Sequence, residues 1–216
     1  MEVGEQIRSF KVRAGRLGPA SQDAMVRLWP VYGERPPYSA LVRDRPLVLE
    51  IGSGMGEATV AMALADPACD VLAVEVHPAG VAALLRRIEE RQLHNVRVAH
   101  DDVVTVLQAL PERSVAEVRM YFPDPWPKAR HHKRRLLRPT FAALLASRLE
   151  PHARLHLATD SPAYVEHALQ VLKDWDTQVL PRPAHRPVTR FEQLGLDAGR
   201  PSTDVYAVSP ASHTVG

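Results

Sequence analysis

From residue 47 onward, short apolar runs alternate with amphipathic stretches. Leu47-Val-Leu-Glu-Ile51 is a short apolar run ending in glycine, and Glu57 to Asp66 has helical spacing. Asp70 to Val76 is a second apolar run. A helix from Pro78 to Gln92 follows, with proline at its start, where the ring costs no hydrogen bond. The spacing then predicts a strand at Val96 to Ala99 and a short helix at Val103 to Leu110. It predicts another strand at Val115 to Phe122, a helix at Pro139 to Leu149, a strand at Arg154 to Ala158 and a helix at Ser161 to Leu172. Val179 and Val205 to Val208 are candidate final strands. Strands alternating with helices predict an α/β fold: a doubly wound, mostly parallel sheet of about seven strands.

Ahead of residue 47 the periodicity weakens. Residues 1 to about 20, with Arg8, Lys11, Arg13 and Arg16, read as a basic tail. Residues 21 to 32 predict a short helix from a Ser21 cap to the residue before Pro30. Residues 33 to 46 read as a proline-rich linker. The expected division is therefore a tail, short helix and linker over 1–45 and one folded domain over 46–216. Pro181 to Pro201 reads as a long loop, which in a compact domain points to function.

Charge changes this picture more than composition does. The net charge is only +2 over 216 residues. Its distribution is uneven, with 8 Lys/Arg against 5 Asp/Glu in residues 1–45, 6 against 11 in 46–120, and 13 against 9 in 121–216. An acidic block between two basic ones suits a nucleic-acid partner. The single Cys69 excludes an intramolecular disulfide or a cysteine-built metal site. No run approaches about 18 apolar residues, and no leader-like apolar stretch opens the chain, so a cytoplasmic protein without a membrane partner is expected.

Candidate chemistry gathers where the predicted strands end. Glu50-Ile-Gly-Ser-Gly-Met-Gly56 sets Gly52, Gly54 and Gly56 in a strand-to-helix turn, where a ligand comes close to the backbone. Glu75, 19 residues past Gly56, suits hydrogen bonds from two ribose hydroxyls. Asp101-Asp102 follows the third strand, where a carboxylate can accept from an adenine amino group. These acids favour an adenosine-bearing ligand, and both NAD and S-adenosylmethionine qualify. Glu50 separates them, because an acid in the first loop repels a pyrophosphate but suits ammonium and sulfonium groups.

The stretch from Tyr121 to Arg138 completes the set. Asp124 lies between Pro123 and Pro125, with Pro127 after Trp126, so its backbone is stiff. Trp126 reads either as a stacking surface or as a hydrophobic plug. A basic run follows, with Lys128, Arg130, Lys133, Arg134, Arg135 and Arg138 inside eleven residues. Such a run binds phosphates without reading sequence. His131-His132 has no convergent third ligand, so no metal is expected.

Read together, Glu50-to-Gly56, Glu75-Val-His-Pro78 and Phe122-Pro-Asp-Pro-Trp-Pro-Lys128 with its His-His-Lys-Arg-Arg continuation make the chain resemble the tRNA (guanine-N7-)-methyltransferases of the TrmB type. Leu157-Ala-Thr-Asp160 and Arg186-Pro-Val-Thr-Arg-Phe-Glu192 match as well, so the resemblance spans nearly the whole chain. It implies a Rossmann-like class I methyltransferase fold and S-adenosylmethionine as donor. It also implies a target guanine in the tRNA variable loop (7-methylguanosine, position 46). Carried over by motif, Glu50, Gly52, Gly54, Gly56, Glu75, Asp102 and Asp124 would contact the donor, with Asp124 at the catalytic centre. Lys128, Asp160, Thr189, Arg190, Phe191 and Glu192 would contact substrate, and Arg134 and Arg135 its phosphates. The chain departs from the family pattern at Ser161, where an aromatic residue is usual. It departs again at Gln193-Leu194-Gly195 and Gly199-Arg200, where Arg-Gly and Gly-His are usual. Three other readings stay open: a methyltransferase for another nucleic-acid or amine target, an NAD-dependent oxidoreductase, and a non-catalytic RNA-binding module. Monomer and homodimer both fit.

Overall fold

A computed structural model of the protein describes residues 17–41 and 44–210; the predicted basic tail up to residue 16 lies outside them. Gly18 caps helix α1 (Pro19–Tyr32), and Gly33–Glu34 form the two-residue strand β1. A single 3-10 turn (Tyr38–Leu41) leads to β2 (Leu47–Ile51) and α2 (Glu57–Ala65). Then come β3 (Asp70–Val74), α3 (Pro78–Glu90), β4 (Val96–Ala99), α4 (Val103–Ala109) and β5 (Val115–Tyr121). The basic run coils into a 3-10 turn (Ala129–Arg134) before α5 (Pro139–Arg148). Last come β6 (Leu149–Thr159), α6 (Pro162–Val171), β7 (Asp176–Leu180), α7 (Arg190–Asp197) and β8 (Thr203–Val208).

The eight strands form one sheet in the order β1-β4-β3-β2-β5-β6-β8-β7. The strands from β1 to β6 pair in parallel, and β8 runs antiparallel between β6 and β7. Chain order reverses direction between β2 and β5. In an open α/β sheet the crevice beyond the strand ends at such a switch point is where ligands bind.

Side chains alternate across each strand, and this splits the core in two. Leu47, Leu49 and Ile51 of β2 join Val118, Met120, Leu155 and Leu157 in the layer under α4, α5 and α6. Val48 faces the other way, into a layer with Val60, Ala63, Leu84, Leu85 and Leu28 from α1, α2 and α3. Period two therefore aims Glu50 at α2. Its register partner across the sheet is Arg119, whose partner is His156, whose partner is Tyr206. Polar side chains thus cross the sheet in one row.

Three segments depart from the sequence reading. Helix α1 starts at Pro19 rather than Ser21 and continues through Pro30 to Tyr32. The ring deletes one hydrogen bond near the end of the helix, and burial of Ala24 and Leu28 against α3 outweighs that loss. The linker segment supplies β1, which pairs with β4. Gly33 is required there because a Cβ would lie 2.3 Å from the Trp29 ring. The expected 181–201 loop contains α7. Thr189 caps it by accepting from the Glu192 N–H at 3.1 Å. Thr189-x-x-Glu192 has the spacing of a capping box, so this helix start was readable.

Candidate active site

The loop after β2 is built on left-handed backbone. Gly52, Gly54 and Gly56 have φ of 75°, 57° and 84°, a region open to glycine at little cost. At Gly52 and Gly54 an added Cβ would meet no atom within 4 Å, so these glycines border open space. The backbone N–H groups of Gly52 and Ser53 donate to the Val74 carbonyl at 2.9 and 3.3 Å, tying the loop to the end of β3.

Glu50 stands at the root of this loop, only 4% exposed. Among the described residues its Oε2 has no hydrogen-bond partner, and neither do the buried hydroxyls of Ser53 and Thr59. Burial pushes the Glu50 carboxyl up; the nearby Thr59 hydroxyl, though outside hydrogen-bonding geometry, and Arg119 pull the other way, and Glu75 adds to the rise. An unsatisfied buried polar group costs about 1–3 kcal/mol, more for a charged one. Three such atoms beside a glycine loop fit a cationic group that donates hydrogen bonds, which is what the amino-acid end of S-adenosylmethionine offers.

Glu75 serves the loop itself. Its Oε2 accepts from Gly54 N–H at 2.7 Å, and its Oε1 accepts from Val76 and His77 N–H, each at 2.7 Å. Expected to take two ribose hydroxyls, the carboxylate has three of its roughly four acceptor positions engaged by backbone. Gly80 of α3 packs against this junction: a Cβ there would lie 2.6 Å from the Gly54 carbonyl oxygen and 3.1 Å from Glu75 Cγ. Gly80→Ala should therefore push the glycine loop outward. Overpacking of this kind costs about 1–3 kcal/mol. A lowered melting temperature together with weakened donor binding by calorimetry is the expected result; unchanged donor binding would show that the junction does not shape the loop.

Asp102 caps α4, its Oδ1 accepting from Val104 N–H at 2.9 Å, while Asp101 accepts from Asp102 N–H at 2.7 Å. Both lie at the same sheet edge as Glu50 and Glu75, as the sequence predicts.

Beyond β5 the chain makes the Asp124 corner. Phe122 and Trp126 both sit in the left-handed region, at φ of 52° and 41°. For non-glycine residues this costs about 1–3 kcal/mol each, and the cost falls on either side of one carboxylate. Asp124 itself is exposed and makes no hydrogen bond or ion pair among the described residues. It lies past the end of β5, across the switch point from the β2 loop.

The basic run divides by burial. Lys128, Arg130, Lys133 and Arg134 are exposed. The Arg134 guanidinium rests over the Trp126 ring at 5.0 Å, and His131 meets that ring edge-on. Trp126 is half-buried and offers its ring to Arg134 and His131. Arg135, expected on phosphates, is 2% exposed. It donates to the Pro125 carbonyl at 2.9 Å and lies over the Tyr164 ring at 5.5 Å. Its place just after the 3-10 turn points it inward, so it braces the Asp124 corner and is withdrawn from solvent. Arg134→Ala should weaken nucleic-acid binding and reduce the salt slope by about one. Arg135→Ala should leave the slope alone and lower stability by about 1–3 kcal/mol. Filter binding across a salt series and thermal melts separate the two, and equal slopes for both variants would contradict the division.

The C-terminal matches fare unevenly. Asp160 at the end of β6 pairs with exposed Arg200 at 3.0 Å. Glu192, expected against substrate, is buried and held by Arg186, and Thr189 is spent on the α7 cap. Arg190 and Phe191 remain exposed, Phe191 at 64%. Arg186, Asp204, His156 and Tyr121 form a buried polar group that sequence spacing did not single out, because its members come from three strands and a loop. Among the described residues no three His, Cys, Asp or Glu could hold a metal ion.

Comparison with known proteins agrees with this geometry. A family described as "Putative methyltransferase" matches residues 44–205. The chain is 46% identical to a tRNA (guanine-N(7)-)-methyltransferase of Streptomyces coelicolor, covering 93% of this chain and 80% of that one. It is 48% identical to one of Nitrosospira multiformis, covering 92% and 93%. Among solved structures, a SAM-dependent methyltransferase from Aquifex aeolicus shares the fold, with a TM-score of 0.55 at 18% identity over 78% of this chain and 85% of that one.

Proposed function

Since the chain belongs to the family of tRNA (guanine-N(7)-)-methyltransferases, we propose that it transfers a methyl group from S-adenosylmethionine to N7 of a guanine in tRNA, in the variable loop at position 46. The observation that carries this reading is a buried, unsatisfied carboxylate at Glu50 paired with an exposed, unengaged one at Asp124 across the switch point. When bound, S-adenosylmethionine supplies an electrophilic methyl group. Glu50 would hold its cationic end, the open backbone at Gly52 and Gly54 would border it, and Asp102 would face its base.

Guanine N7 bears a lone pair and no proton, so no side chain has to act as a base toward the nucleophile. The work left to the protein is positioning, worth up to about 7–11 kcal/mol. Asp124 does this by accepting from the N1–H and N2–H of guanine, a donor pair that adenine lacks. Lys128 and Arg134 hold neighbouring phosphates, and Arg190 and Phe191 meet the RNA from α7. A tRNA substrate favours a cytoplasmic protein. Among the described residues no helix is long and apolar enough to cross a membrane.

The test is incubation of unmodified tRNA with labelled S-adenosylmethionine, followed by nucleoside mass spectrometry. Label in 7-methylguanosine from the variable loop is expected. Label on an exocyclic amine would replace this reading with that of a methyltransferase for another target.

A further inference from the structure

Arg186 is completely buried in a segment that is otherwise largely exposed. Its guanidinium holds two carboxylates at once. Nε and Nη2 donate to Asp204 at 2.7 and 2.9 Å, while Nη1 and Nη2 donate to Glu192 at 2.7 and 3.0 Å. Nη2 also reaches Ser202 Oγ at 3.1 Å, and that hydroxyl donates to Glu192 at 2.5 Å. Asp204 is further bonded by His156 Nε2 at 2.6 Å, and His156 Nδ1 meets the Tyr121 hydroxyl at 3.0 Å. Burial lowers the pKa of His156. The Asp204 carboxylate has no proton to give, so His156 Nε2 donates to it, and the other ring nitrogen links the pair to the Tyr121 hydroxyl.

The same guanidinium lies 5.5 Å from the Tyr121 ring and 5.7 Å from the Phe122 ring. Phe122 is the left-handed residue two positions before Asp124. Arg186 thus touches both sides of the site: α7 through Glu192, and the strained corner through Phe122. A planar fork meeting two carboxylates is a geometry that lysine cannot reproduce. Paired buried charges of this kind are weak stabilisers, so stability alone does not account for the arrangement.

We propose that Arg186 is a positioning residue for methyl transfer, fixing the Asp124 carboxylate and the RNA-facing side of α7 relative to one another. This rests on the reading of Asp124 given above. Arg186 touches neither the glycine loop nor Glu50, so its effect falls on turnover with bound RNA and spares donor binding.

The experiment compares wild type, Arg186→Lys and Phe122→Leu in single-turnover methylation, donor calorimetry and thermal melting. Positioning predicts a turnover drop of about 10²-fold for Arg186→Lys, with donor affinity within about twofold of wild type. Phe122→Leu, which keeps every ion pair, should also lose turnover while melting near wild type; this arm decides the matter if Arg186→Lys does not fold. In an Asp124→Asn background, Arg186→Lys should cost clearly less turnover than in wild type, because part of its effect runs through that carboxylate. Turnover near wild type in Phe122→Leu and in folded Arg186→Lys would overturn the proposal. So would fully additive losses in the double variant. If wild type binds donor but methylates no guanine N7, the reading of the reaction fails instead, and that outcome is seen before any variant is made.

Discussion

Asp124→Asn should reduce turnover by about 10²–10⁴-fold while tRNA affinity stays within about twofold of wild type. The size follows from what the carboxylate is asked to do. Hydrogen bonds to a charged acceptor contribute about 1.5–3 kcal/mol each, and two of them to the guanine edge convert to that range in rate. Asparagine keeps the shape but turns an N–H donor toward the N–H donors of the base. RNA affinity is spared because exposed cations such as Lys128 and Arg134, not Asp124, meet the phosphates. The backbone on either side, at φ of 52° and 41°, stays as it is. Single-turnover methylation with filter binding checks this, and near-normal turnover would remove Asp124 from the reaction.

Glu50→Gln should have two opposite effects. Donor affinity should fall by about 10–10²-fold, since a charge-assisted bond to the donor's ammonium becomes a neutral one. Without donor, the variant should melt above wild type at neutral pH. Burial raises the Glu50 carboxyl from its ordinary 4.5, so the folded protein holds that proton more tightly than the unfolded chain does. As pH climbs above 4.5 and through the folded-state value, stability is lost, because the folded chain then carries a buried charge. Glutamine removes that loss, so the difference in melting temperature should shrink as pH falls toward 4.5. Calorimetry with donor and a pH series of melts test both halves. A variant that binds donor normally, or melts below wild type at every pH, contradicts the assignment.

The frame was legible because its signals are local. β4 spans Val96–Ala99 as its apolar run predicts, and Pro78 marks the start of α3. The placement of the acids at 50, 75, 102 and 124 along one sheet edge was legible because parallel strands β2 to β5 all end there. What escaped was settled by contacts distant in sequence. Nothing near Arg135 says that it turns inward beneath Pro125 while its neighbour Arg134 faces solvent. Nothing near Glu192 announces Arg186 and Asp204, since β8 must first pair with β6 to bring Asp204 beside Ala158. Pro30 ended a helix on paper, yet burial of α1 on α3 carried the helix past it.

That pairing has a bearing on how the protein comes into being. Among the described residues β8 is the last strand, yet it lies between β6 and β7, which pair with it and not with each other. Domains generally fold as units, and β8 shares a core layer with β2 through Val205, Ala207, Leu49 and Ile51, so the strand that carries the glycine loop and the late strand consolidate together. Asp204 enters with β8 and completes the cluster under Tyr121 and Phe122. The RNA-facing side of the proposed site is therefore complete only once the last part of the described chain has been made, and a chain stopped before Asp204 would lack a group that ties Arg186 down.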